Sequence, residues 1–167
     1  IGGYNYCVND QCTQENSNPL DNDGHGTHVA GIAAATNNSN GVAFNSKIVA
    51  MKVLNSTGGS GTQGFINIQK AIQWCTQNRT KFNISVISMS LGAGQYDSSN
   101  CTNSAVTEIN DAVAAGITVI AASGNDGSKS GISDPACSFN ATSVGATYDK
   151  NNMSVTWTTP DPDCTDS

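Results

Sequence analysis

The sequence predicts an α/β fold, a three-layer αβα arrangement on a mainly parallel sheet that is left incomplete. Two observations carry this expectation: short β-branched apolar runs alternate with segments of helical periodicity, and Gly-rich links follow the apolar runs. Parallel neighbours need a crossover that returns over the sheet, so helices placed between strands imply a sheet covered on both faces. In such sheets the functional loops gather at the carboxyl ends of the strands, here after Leu54, Leu91 and Ser123.

In chain order, residues 1–23 are rich in Asn, Gln and Asp, show no periodicity and read as surface loop. A small-residue helix is expected from about His25 to Ala35, then a strand over Lys47 to Leu54, which the Gly-rich link from Thr57 to Gly61 breaks. Phe65, Ile68, Ile72 and Cys75 share one helical face. A strand over Val86 to Leu91 follows, and then a helix whose stripe is Ala105, Ile109, Ala112 and Val113, stopped by Gly116. Ile117 to Ala122 and Ala141 to Thr147 read as further strands, and the pattern then runs out through Pro160, Pro162 and Cys164.

At 167 residues the chain suits one domain with one core. Charged residues are only 12% of it, so Asn, Ser, Thr and Gly, not a surplus of charge, account for its polarity, and it reads as globular. A net charge of −6 with 7 scattered Lys and Arg argues against nucleic acid, whose phosphates need a basic face. No apolar run is long enough to span a bilayer and no leader opens the chain, so a secretion signal is expected upstream. Six cysteines without a C-x-x-C pair suggest disulfides made in an oxidising compartment, with Cys7 and Cys12 as the first pairing to expect. Seven Asn-x-Ser/Thr sequons begin at Asn37, Asn55, Asn78, Asn83, Asn100, Asn140 and Asn152. Roughly four are expected by chance in so polar a chain, so they support secretion weakly.

The residues that carry chemistry start at Asp23-Gly24-His25-Gly26-Thr27-His28-Val29-Ala30-Gly31, where a histidine stands at the entry to a helix. Flanking glycines let other groups approach the ring, and the positive helix end disfavours a second positive charge, so the imidazole stays available as a general base. A lone histidine at a helix start is more often structural than catalytic. Here the flanking sequence reverses that: His25-Gly26-Thr27-His28-Val29-Ala30-Gly31 resembles the histidine motif of the subtilisin-like serine proteases, the subtilase family. Ile87-Ser88-Met89-Ser90-Leu91-Gly92 resembles that family's substrate-binding strand, and Ala121-Ala122-Ser123-Gly124-Asn125-Asp126-Gly127 its oxyanion segment. Pro135-Ala136-Cys137 and Ser143-Val144-Gly145-Ala146-Thr147 resemble its next strand entry.

The resemblance makes His25 the catalytic base and Asn125 the side-chain donor to the oxyanion, the bland reading of Asn125 being a turn former. Ser90, Leu91 and Gly92 would run beside an extended peptide substrate, and Gly59, Ser60 and Gly61 would lie on its other side. Ala122, Ser123 and Gly124 would wall the pocket for the side chain before the cut, with Asp126 near its rim. The implied enzyme is a secreted endopeptidase acting on polypeptides, a monomer at full length, with no cofactor. Structural calcium through Asn37-Asn38-Ser39-Asn40 is allowed by the resemblance alone, and Asp21-Asn22-Asp23-Gly24 fails the EF-hand pattern.

The chain also departs from the family. Triad spacing puts the aspartate roughly 32 residues before the histidine and the serine roughly 157 after it, near position ~182. Asp10 and Asp21 do not open an Asp-Ser/Thr-Gly motif, and no Gly-Thr-Ser-Met is present. Residues 1–167 therefore read as part of a peptidase domain, without the Asp-motif strand before it and the Ser-motif region after it, and as inactive alone. Two other classes fit the same residues: a non-catalytic peptide-binding homologue on the same fold, and a metal-dependent hydrolase using His25 and His28, for which no third ligand is evident.

Overall fold

A computed structural model of the chain describes residues 2–36, 41–97, 101 and 105–147. They fall into two compact units, Ile1–Ser85 and Val86–Ser167, where the sequence suggested one core.

In the first unit β1 (Gly3–Asn5) and β2 (Ala50–Lys52) pair in parallel, Gly3 opposite Ala50, with α1 (His25–Ala34) between them in sequence. Residues 1–23 read as loop in the sequence because a strand of three residues is too short to show a period of two. The strand expected over Lys47 to Leu54 shrinks to its middle for a related reason. Only the residues opposite the short β1 find ladder partners, and the pairing ends where Tyr6 N–H donates to the Lys52 carbonyl at 2.8 Å.

Helix α2 (Ile66–Gln77) fulfils its periodicity. Ile68, Ile72 and Cys75 are buried on one face together with Ala71, while Phe65 sits half-buried just before the first turn. Burial of each large aliphatic side chain stabilises by roughly 1.5–3 kcal/mol. A short α3 (Arg79–Phe82) follows, its Phe82 ring stacked on Trp74 with centroids 5.4 Å apart. The Cys7–Cys12 disulfide closes the N-terminal loop as expected. Asn67, on the buried side of α2, reaches that loop: its Nδ2 donates to the Tyr6 carbonyl at 2.8 Å and the Cys12 carbonyl at 2.9 Å.

In the second unit β3 (Val86–Met89), β5 (Thr118–Ala122) and β7 (Thr142–Val144) form a parallel sheet in that spatial order, with β5 central. Helix α4 (Val106–Ala114) crosses from β3 to β5 and packs on β5. Ala105, Ile109 and Ala112 are buried, Val113 is half-buried, and Gly116 ends the helix by donating its N–H to Val113. All strands here are shorter than the apolar runs that announced them. An antiparallel pair, β4 (Ala93–Tyr96) with β6 (Ile132–Asp134), was not expected. A second disulfide joins Cys101 to Cys137, and Cys75 is a free thiol buried in the first unit, where desolvation pushes it up to about 11. Cys164 lies outside the described residues. The fold class is α/β with mainly parallel sheets, and among the described residues no helix is long and apolar enough to cross a membrane.

Asn67→Ala should destabilise the protein by about 1–3 kcal/mol for each of the two carbonyls it leaves without a donor. Urea unfolding measures this, and a loss within experimental error would show that Asn67 does not hold the Cys7–Cys12 loop.

Candidate functional site

His25 is the first residue of α1, and the chain reaches it through Gly24, whose φ of +106° is a conformation that side chains other than glycine rarely adopt. Helix N-termini leave N–H groups without partners, and Gly24 has no side chain to cap them. Asp21 supplies the acceptors. Its Oδ1 accepts from the Asp23 and Gly24 amides, both at 3.0 Å. Its Oδ2 accepts from the Thr27 amide at 2.9 Å and the Thr27 hydroxyl at 2.7 Å. Asp23 Oδ2 accepts from the His25 amide at 3.1 Å. One carboxylate thus bridges the segment before His25 to the first turn after it. These bonds, the one from Gly24 first, hold the Asp21 carboxyl well below the usual carboxylate range. The His25 and His28 rings are exposed.

Gly59, Ser60 and Gly61 belong to the same unit. Asn55 folds the chain before them: its Oδ1 accepts from the Thr57 and Gly59 amides at 3.0 and 2.8 Å, and its Nδ2 donates to the Asp10 carbonyl at 2.9 Å. Thr62 N–H then donates to the Gln11 carbonyl at 3.0 Å, which ties the turn to the disulfide loop. Lys52 places its Nζ on the Cys7 and Leu54 carbonyls, and burial lowers its pKa.

In the second unit Ser90, Leu91 and Gly92 leave the end of β3, Ala122 ends β5, and Ser123, Gly124 and Asn125 lead away from it. Ser133 on β6 joins the two segments. It is 3% exposed and donates its N–H to the Ser123 carbonyl at 2.9 Å. A Cβ on Gly92 would stand 2.9 Å from the Ser133 Cβ, and one on Gly124, at φ +108°, would collide with the Ser133 hydroxyl. Both positions therefore require glycine. A cavity of about 120 Å³ opens here, lined among others by Gln95, Ser123, Gly124, Asp126, Ile132 and Ser133. Asn125 is exposed beside it in sequence, its side-chain amide bonded to none of the described residues.

Among the described residues, one group of three potential metal ligands comes together, Cys101, Asp134 and Cys137, and its two sulfurs form a disulfide. The Asn37-Asn38-Ser39-Asn40 segment lies outside the described residues. Asp21, considered in the sequence as part of a calcium loop, has both oxygens engaged by backbone and Thr27 donors. Sequence reasoning missed two residues, Asp21 as organiser of the His25 loop and Ser133 as the wedge between two glycines. The one signal for Asp21 was its place six residues before a threonine in the helix's first turn.

Because the Asp21 carboxyl titrates below its unfolded value, the order it gives this loop is present above the ordinary carboxylate range and is lost as pH falls through the folded value. A carboxyl-carbon NMR titration should therefore give a midpoint clearly below that of an unstructured aspartate. A midpoint in the ordinary range would mean that the four bonds are not formed in solution.

The family model described as "Subtilase family" matches residues 3–166. Subtilisin-like protease 3 of Pseudogymnoascus destructans is 47% identical over 137 residues, covering 79% of this chain and 30% of that protein. Subtilisin Savinase of Lederbergia lenta is 39% identical over 156 residues, covering 90% of this chain and 50% of that protein. Among solved structures, proteases from Pseudoalteromonas arctica superpose with a TM-score of 0.68 at 29% identity, covering 86% of this chain and 49% of that one. A psychrophilic protease superposes with a TM-score of 0.65 at 34% identity, covering 84% of this chain and 44% of that one. The chain spans half or less of each of these relatives, and with its motifs in order over nearly its whole length it belongs to the subtilase family.

Proposed function

We propose that this chain is the part of a secreted serine endopeptidase that supplies the general base and one oxyanion donor. The observation that carries the reading is His25 at the first turn of α1, ring exposed, its loop fixed by Asp21, inside the segment that the family model covers. In the proposed mechanism His25 takes the proton of a serine hydroxyl as that oxygen attacks the scissile carbonyl, then returns it to the leaving amine. Asn125 donates to the carbonyl oxygen as negative charge develops there; an amide bonded to none of the described residues meets that charge without first breaking one of their bonds. The serine and the aspartate that orients the imidazole belong to sequence outside these 167 residues.

The substrate in this proposal is an extended polypeptide. Segments 90–92 and 59–61 would flank it, and the cavity beside Ser123, Gly124 and Ser133 would take the side chain before the cut. Two disulfides, bonds that form and persist in oxidising compartments, support secretion.

In the full-length protein Asn125→Leu should lower kcat by about 10² to 10³ with KM nearly unchanged, a magnitude known from subtilisin and carried to this residue by resemblance. Steady-state kinetics on a peptide substrate decides it, and an unimpaired variant would return Asn125 to a turn former. A phosphonate that reacts only with activated serines should label the full-length protein and leave residues 1–167 unlabelled, because His25 needs a nucleophile within hydrogen-bond reach. Stoichiometric labelling of a serine within 1–167 would show the active site to be misplaced.

A further inference from the structure

We infer that Asn83 is a site of N-linked glycosylation, an inference that rests on the secretory reading above. Sequons are too frequent in this chain to be informative as sequence, but the fold separates those it describes. Asn55 is half-buried, its Nδ2 on the Asp10 carbonyl and its Oδ1 accepting three bonds inside a turn. Asn78 is half-buried, and its Nδ2 donates to the Trp74 carbonyl at 2.9 Å. Asn140 is exposed, with its Nδ2 held 2.8 Å from Asn110 Oδ1. A sugar on any of these nitrogens must be accommodated against a partner already in place.

Asn83 differs on each count. It is the C-cap of α3, at φ +52° and ψ +48°, a left-handed conformation that asparagine tolerates better than most residues. Its backbone N–H and that of Ile84 both close the helix end on the Arg79 carbonyl, so the cap is made by the main chain. The Asn83 side chain is left exposed and bonded to none of the described residues, and Ser85, the hydroxyl residue of the sequon, is exposed too. A glycan there displaces no protein contact.

The modification joins Asn83 Nδ2 to the anomeric carbon of an oligosaccharide carried on a polyprenyl pyrophosphate. The carbon–oxygen bond to the pyrophosphate breaks, the lipid pyrophosphate leaves with the electron pair, and the amide proton passes to a base of the transferase. The donor is the lipid-linked oligosaccharide of the secretory compartment, where disulfides such as Cys101–Cys137 also form.

The test is to send the full-length protein through a yeast secretory pathway on a heterologous leader, then release its glycans with a peptide-N-glycosidase in ¹⁸O-water. Expected is an ¹⁸O-labelled aspartate at position 83 in most secreted, folded molecules. Ser85→Ala, which keeps Asn83 and its cap, should lose that label and the mass of one glycan while keeping the melting temperature of the enzymatically deglycosylated protein. Folded, secreted protein unmodified at Asn83, or label at Asn55 or Asn78 in its place, would overturn the inference. The heterologous leader keeps this result separate from the secretory reading, which fails instead if the native protein is retained inside its own cells.

Discussion

The geometry around His25 depends on one carboxylate. Asp21 accepts four hydrogen bonds from both sides of the glycine that opens α1, two from the approach and two from Thr27 in the first turn. Each joins a charged acceptor to an N–H or O–H, the stronger class of such bonds. Water competes at this exposed loop, so the gain in global stability is modest, while the gain in local order is larger: with both oxygens committed, the backbone from 21 to 27 has little freedom left. Catalysis by a positioned base needs that order, since a displacement of about 1 Å can cost 10²-fold in rate.

In the second unit the constraint is steric. The end of β3, the end of β5 and β6 approach so closely at Gly92, Gly124 and Ser133 that no Cβ fits at either glycine. The result is a tight junction of backbone and one buried serine side chain beside the cavity that Gln95, Ser123, Asp126 and Ile132 also line. Ser133 is bonded through its backbone to Ser123 and packs tightly against Gly92, so a residue outside every recognised motif touches residues inside two of them.

How much of this was legible follows from the length scale of each signal. Ile68, Ile72 and Cys75, and likewise Ala105, Ile109 and Ala112, repeat often enough at helical spacing to reveal α2 and α4. Strands of three to five residues give too few alternations, so Lys47 to Leu54 was read too long and Gly3–Asn5 was not seen. The β4–β6 pair was invisible because Ala93-Gly94-Gln95-Tyr96 carries no apolar pattern and its partner lies more than thirty residues away. The proposal for His25 and Asn125 rests on local words of sequence, which need no long-range geometry to be recognised. Asp21 and Ser133 were not legible there, because accepting four donors and wedging between two glycines are properties of folded geometry, and the residue types that do this work, Asp and Ser, are common in any polar loop.

Cysteine arithmetic shows the same limit and a physical asymmetry. An even count permits three disulfides, yet Cys75 stays a buried thiol in the core of the first unit, behaving as a small apolar residue on the inner face of α2. The two bonds among the described residues are unequal. Cys7 and Cys12 are 5 residues apart, whereas Cys101 and Cys137 are 36 apart. On the chain-entropy account the longer loop restricts the unfolded chain more, by about 2 kcal/mol over the shorter. Its ring also encloses α4, β5, the Asn125 loop and β6. The bond that constrains the unfolded chain most is thus the one that surrounds the proposed oxyanion donor. Asn125 stands exposed within that ring, its side chain bonded to none of the described residues.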